Sequence, residues 1–178
     1  TGNVSISRTA AGPTSAFNAG ARINGNFTYT NNTSGETGFG NLASKTNIGG
    51  TINITADYSS PDNFGMHRLI NQTNGGSITV TNSLGFNLQN NTLLLTIMNI
   101  TGYKTGQYGY LFNNNITGNI NIADDASFGG GYTTNIRSNV INGNSIFTLS
   151  GSNTFTEADG VDYGNRYNGN LTFNCAGN

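Results

Sequence analysis

The sequence predicts an all-β fold, a β-solenoid (parallel β-helix) with rungs of about 25 residues, and three observations carry that prediction. The first is a recurring five-residue pattern, Gly-Asn-apolar-polar-apolar. It occurs at Gly2-Asn3-Val4-Ser5-Ile6, Gly25-Asn26-Phe27-Thr28-Tyr29, Gly118-Asn119-Ile120-Asn121-Ile122 and Gly169-Asn170-Leu171-Thr172-Phe173. Gly49-Gly50-Thr51-Ile52 and Gly75-Gly76-Ser77-Ile78 open copies one residue longer, and Gly143-Asn144-Ser145 opens a looser one. The leading glycines lie 23, 24, 26, 43, 25 and 26 residues apart. The second is alternation after each glycine, which makes one face of a short strand dry and the other wet. The third is composition. Asn, Gly, Thr and Ser dominate and are poor helix formers, so helix is disfavoured throughout.

Each copy justifies one strand. Glycine frees the backbone at a corner, and Asn tolerates the left-handed region. Phe27 and Tyr29, Ile52 and Ile54, Ile78 and Val80, Ile120 and Ile122, and Leu171 and Phe173 are then expected inside. Thr28, Asn53, Thr79, Asn121 and Thr172 are expected outside. In chain order, strands are predicted at 1–9, 22–30, 50–58, 77–82, 92–100, 116–123, 131–136, 145–150, 153–157 and 170–174. The 31–40 stretch reads as a polar loop and Ser59-Ser60-Pro61-Asp62-Asn63 as a turn. Met66 to Ile70 is mixed, and Tyr103 to Phe112 is an aromatic strand or loop. The 43-residue gap holds the most apolar run, Leu93-Leu94-Leu95-Thr96-Ile97-Met98, and implies a degenerate rung or an insertion. The alternative fold is an antiparallel pilin-like β-sandwich completed by a donor strand. No composition shift divides the chain, so 1–178 reads as one domain, with residues 1–9 an exchangeable terminal strand.

Only 8% of residues are charged, and the formal net charge is −1. No basic patch exists to neutralise phosphates, which argues against nucleic-acid binding. No apolar stretch is long enough for a membrane span. The low charge and Thr1 in place of an initiator Met point to an extracellular or cell-surface chain secreted with a removed signal. Asn-x-Ser/Thr sequons offer glycosylation at Asn3, Asn26, Asn31, Asn32, Asn53, Asn71, Asn90, Asn99, Asn115 and Asn170. Cys175 is alone, so no intrachain disulfide forms; it reads as a small inert residue, with intermolecular pairing left open.

Chemistry is sparse. Asp124 and Asp125 are adjacent and would face opposite sides of a strand, although stacked rungs could bring Asp57 and Asp125 together. His67 is the only histidine and reads as a surface or turn residue, and no nucleophile-elbow serine is present. Glu157, Asp159 and Asp162 flank a Gly-containing turn of hard oxygen ligands that suits calcium, without the spacing of an EF-hand. No cofactor is implied, and the chain reads as non-enzymatic.

The Gly-Asn-apolar-polar-apolar copies resemble the rungs of secreted bacterial β-helical surface proteins of the autotransporter-passenger and filamentous-haemagglutinin type. That resemblance implies adhesion, self-association and surface display, and it carries over no site residue. The expectation is a self-assembling subunit of a surface filament or pilus, or an adhesin, whose partners are copies of itself and surface glycans. Gly2, Asn3, Val4, Ser5, Ile6 and Ser7 are its expected assembly strand. The rival reading is a carbohydrate-binding or carbohydrate-cleaving β-helix like those of phage tailspikes, with Tyr103, Tyr108 and Tyr110 stacking on sugar. A lesser one starts from outward Thr28 and Thr30, Asn53 and Thr55, and Thr79 and Thr81, which resemble the ice-binding faces of some β-solenoid antifreeze proteins.

Overall fold

A three- to six-residue strand with one dry face finds cover only against other dry faces, and this chain supplies it by winding. The computed structural model describes residues 2–59, 62–103, 109–125, 133–150, 153–157 and 164–176. It is an all-β parallel solenoid of about seven turns, with about 23 residues per rung. Every strand pairing among the described residues is parallel, which sets aside the antiparallel sandwich.

Each full turn lays down three strands. The first stack is β1 (Val4–Arg8), β4 (Phe27–Asn31), β7 (Ile52–Asp57), β10 (Gly76–Thr81), the later parts of β12 (Thr92–Tyr103) and β14 (Asn115–Asp124), β17 (Ser145–Ser150) and β20 (Leu171–Ala176). The second is β2 (Thr14–Ala16), β5 (Thr37–Phe39), β8 (Asn63–His67), β11 (Gly85–Gln89), β13 (Gly109–Phe112), β15 (Thr133–Arg137) and β18 (Thr154–Thr156). The third is β3 (Ala21–Ile23), β6 (Thr46–Ile48), β9 (Leu69–Asn71), the starts of β12 and β14, β16 (Val140–Asn142) and β19 (Arg166–Tyr167).

Down the first stack one interior column runs Ile6, Tyr29, Ile54, Ile78, Met98, Ile120, Ser145, Leu171, advancing by 23, 25, 24, 20, 22, 25 and 26 residues. The 43-residue gap is therefore a degenerate rung. There β12 turns the corner between the third and first stacks without a glycine, through the run Leu93 to Met98, with a register shift between Leu94 and Ile97. The repeat reading also slips by two residues at one place. Asn53 and Ile54 lie beside Ser77 and Ile78, not beside Thr79 and Val80. Residues 31–40, expected as a loop, contain β5, whose Thr37 and Phe39 are fully buried.

All the residues expected inside are buried except Leu171 and Phe173, which occupy interior columns but are 38% and 41% exposed on the outermost rung. Aromatic rings gather toward the two ends. Phe39 meets Phe27 and Tyr29 edge-on at centroid distances of 5.3 and 4.9 Å. Phe173 lies 5.4 Å from Phe147 and 4.8 Å from Phe155. The middle rungs are mainly aliphatic, with Phe86 against Tyr103 at 5.2 Å.

Two asparagine ladders lock the register. At the corner between the second and third stacks, Asn91, Asn114 and Asn139 are 1–2% exposed. The backbone N–H of Asn91 donates to Asn114 Oδ1 (3.0 Å), that of Asn114 to Asn139 Oδ1 (2.9 Å), and that of Asn139 to Asn165 Oδ1 (3.0 Å). Each side-chain amide also donates to a carbonyl of the rung before it: Met66, Leu88, Leu111 and Ile136 in turn. The ladder ends where Leu69 N–H donates to Asn91 Oδ1 (2.9 Å). Polar groups that burial would orphan are thus paired with one another. Just before Asn91, Asn114 and Asn139 the chain turns through a left-handed residue, Asn90, Asn113 and Ser138 in turn, at φ 53–58°.

The second ladder sits at the Gly-Asn corners and explains that motif. Asn26, Asn144 and Asn170 donate their backbone N–H to Asn3, Asn119 and Asn144 Oδ1 respectively, at 2.9, 3.0 and 3.1 Å. The glycines beside them stack so closely that a Cβ on Gly143 would overlap the Gly118 carbonyl, and one on Gly169 the Gly143 carbonyl. Close approach, more than torsional freedom, demands glycine there.

Candidate functional site

Because backbone and core groups pair with neighbouring rungs, the surfaces left to act are the outward columns and the end rungs. On the first stack, outward column one runs Ser5, Thr28, Asn53, Ser77, Ile97, Asn119. Column two runs Ser7, Thr30, Thr55, Thr79, Asn99, Asn121, Ile146, Thr172. Neighbours stand ~4.8 Å apart between rungs and roughly 6.8 Å apart along a strand. Neither column carries a charge, whereas the third stack turns Arg22 and Arg166 outward and the second carries His67 and Arg137. Asn121 Nδ2 donates to Asn99 Oδ1 at 2.7 Å, so amides in one column tie rungs together. Ile97 and Ile146, 38% and 41% exposed, interrupt the hydroxyls with methyl groups.

Thr30, Thr55 and Thr79 do share a column, as do Thr28 and Asn53. Thr81 stands instead in a third column beside Asp57, to whose Oδ1 its hydroxyl donates at 2.6 Å. The expected assembly strand is β1. It pairs parallel with β4 of its own chain and forms an edge of the first stack. Its Ser5 and Ser7 face out, Val4 and Ile6 are half-buried against the core, and Asn3 Oδ1 accepts from the next rung. At the other end, among the described residues, β20 has β17 on one side only, and Leu171 and Phe173 are the interior groups its edge presents.

The remaining candidates fall out as follows. Tyr103 is fully buried, its hydroxyl 2.6 Å from Thr134 Oγ1, so its ring offers no face to a sugar; burial pushes its phenol well above the usual range. Tyr110 is half-buried on the outer side of β13, and Tyr108 lies outside the described residues. Asp159 and Asp162 also lie outside them, and Glu157 is exposed beyond β18. Asp57 and Asp125 are not brought together. Thr81, Thr101 and Ala123 follow Asp57 rung by rung, which puts Asp125 about three rungs, ~14 Å, away along the stack.

The sequons divide by burial. Asn31 and Asn71 are 1% and 2% exposed. The Oδ1 of Asn31 accepts from Thr33, and the Asn71 amide is bound to Leu94 and Thr73, so neither side chain is accessible for a glycan. Asn3, Asn26, Asn32, Asn115 and Asn170 are exposed; Asn53, Asn90 and Asn99 are half-buried. Cys175 is a free, exposed thiol on β20. His67 is half-buried, and desolvation lowers its pKa. Its Nδ1 is buried without a partner.

The buried ladder was missed in the sequence although its signal was there: Asn91, Asn114, Asn139 and Asn165 step by 23, 25 and 26 residues. No helix of the described chain is long and apolar enough to cross a membrane. No known protein family, curated protein or solved structure matches the chain.

Proposed function

We propose that this chain is a non-enzymatic extracellular structural protein, a self-assembling subunit of a surface filament or an adhesin. The observation that carries the reading is the apolar side chains that the edge strands of the described residues present. Leu171 and Phe173 lie in the interior columns yet are 38% and 41% exposed, while the same two columns end on β1 at Ile6, half-buried, and at Arg8, buried. An open parallel edge with apolar interior groups accepts one more rung. The edge of β1 on a second copy supplies a rung of the same hand and register. Such a contact is head-to-tail and does not close on itself, so it yields filaments. The uncharged outward columns leave lateral faces suited to contact with neutral polar surfaces, and the low charge suits a chain held outside the cell.

Sedimentation velocity and electron microscopy over a concentration series test this. Wild-type protein is expected to form rods that lengthen with concentration, and Phe173→Lys is expected to remain a folded monomer. Discrete wild-type monomers at high concentration would overturn the assembly reading.

A second reading, ice binding, is favoured by the in-register Thr30, Thr55 and Thr79 beside Thr28, Asn53 and Ser77. Flat hydroxyls and methyls on a repeating lattice fit ordered water. Thermal hysteresis that disappears in Thr55→Lys would support it; none in the wild type would remove it.

A further inference from the structure

On the second stack the outward column runs Ser15, Gly38, Gly65, Asn87, Tyr110, Asn135, Thr156. Two of its rungs carry glycine for no reason the fold supplies. Neither Gly38 nor Gly65 has a left-handed φ. A Cβ on Gly38 would meet nothing within 4 Å, and one on Gly65 would make only ordinary contacts, with His67 Nε2 at 3.6 Å and the Asn87 and Thr37 carbonyl oxygens at 3.8 and 3.9 Å. That is the opposite of the corner glycines, where neighbouring backbone forbids a side chain. Glycine inside a strand weakens it and is retained where another molecule comes close to the backbone. Here the missing side chains open a trough of about 380 Å³ that reaches from Ser15 to Tyr110. Four rung steps make it about 19 Å long.

The walls define what fits. Tyr110 closes one end with a half-buried ring. Glu36 and Asn63 stand on one side, His67 on the other, and Asn87 beyond the glycine floor. Amides that both donate and accept, a carboxylate acceptor and an imidazole match hydroxyls, which also do both. A tyrosine ring matches the flat C–H face of a sugar. The floor strands β5, β8 and β11 are paired on both sides, so an extended peptide would find no free ladder to extend. The one carboxylate disfavours acidic sugars.

We propose that this trough is a binding site for a short neutral oligosaccharide, laid along the solenoid axis over Gly38 and Gly65 and stacked on Tyr110. It stands apart from the end-rung assembly reading, because it lies on a lateral face.

The test is calorimetric titration of the purified chain with cellotetraose, maltotetraose and chitotetraose, with polygalacturonate as the anionic control. At least one neutral tetrasaccharide is expected to bind and polygalacturonate is not. Gly65→Thr fills the floor where there is room for it, so its melting temperature should hold or rise. That variant and Tyr110→Ala should each weaken binding by about tenfold or more. Rod formation in sedimentation should be unchanged in both variants, which separates this site from the assembly edge. Failure of all three neutral sugars to bind the wild type overturns the proposal. So does binding that Gly65→Thr and Tyr110→Ala leave intact.

Discussion

Asn114 is held from both neighbouring rungs: its Oδ1 accepts from Asn91 and its Nδ2 donates to Leu88 O and Asn139 Oδ1. Asn114→Leu keeps the volume but orphans a buried N–H and a buried carbonyl. We expect a loss of about 3 kcal/mol, read in urea as a lower midpoint at unchanged slope. Asn142→Ala removes an exposed contact to Asn168 and should change stability by less than about 0.5 kcal/mol. If the two variants are equally stable, the buried ladder is not a main support of the fold. The tyrosines add a pH limit. Burial raises the phenols of Tyr58, Tyr103 and Tyr167 above their ordinary value near 10. Above that pH the unfolded chain has released protons that the folded chain still binds, so stability is fully present below pH ~10 and falls as pH rises beyond it. Urea melts from pH 7 to 11 should show the decline, and Tyr103→Phe should lessen it; a flat profile to pH 11 would contradict it.

At the scale of elements, the two kinds of glycine should behave oppositely. Gly143→Ala drives a Cβ into the Gly118 carbonyl and should cost about 2 kcal/mol or more, whereas Gly38→Ala meets open space and should gain about 0.5 kcal/mol. Thermal melts of the two variants check this, and equal shifts would show that close approach does not select the corner glycines. The same contrast marks what the sequence made legible. β4, β7 and the later part of β14 follow a Gly-Asn or Gly-Gly corner and alternate over five or six residues, so they could be read directly. Strands such as β2, β3 and β6 have three residues each, too few for a period, and β5 has glycine at its centre. The two-residue slip at β10 arose because Gly75-Gly76 mimics Gly49-Gly50, while Gly76 lies against Ile52 in the stack. The buried ladder was hidden by abundance: among 32 asparagines, four at a regular step do not stand out until pairing singles them out. The sugar trough was illegible for a related reason, since only a solved register shows which glycines have room beside them.

Across the whole molecule, each rung touches chiefly the rungs on either side, so stability should vary along the axis. The middle rungs have neighbours above and below, and Ile54, Ile78, Met98, Ile100 and Ile120 are at most 1% exposed. Among the described residues the two edge rungs have one neighbour each, and Leu171 and Phe173 on the last are 38% and 41% exposed. Under native conditions in dilute solution, amide exchange should be slowest in β10, β12 and β14 and fastest in β1 and β20. Raising the concentration should then protect β1 and β20 selectively if those edges bind one another, because pairing returns their missing ladder partners. Lateral association through the first-stack columns would leave the end amides exchanging as before while lengthening no ladder. The exchange pattern at two concentrations therefore distinguishes end-to-end stacking from side-to-side contact, and unchanged exchange in β1 and β20 within assembled material would rule the end-to-end route out.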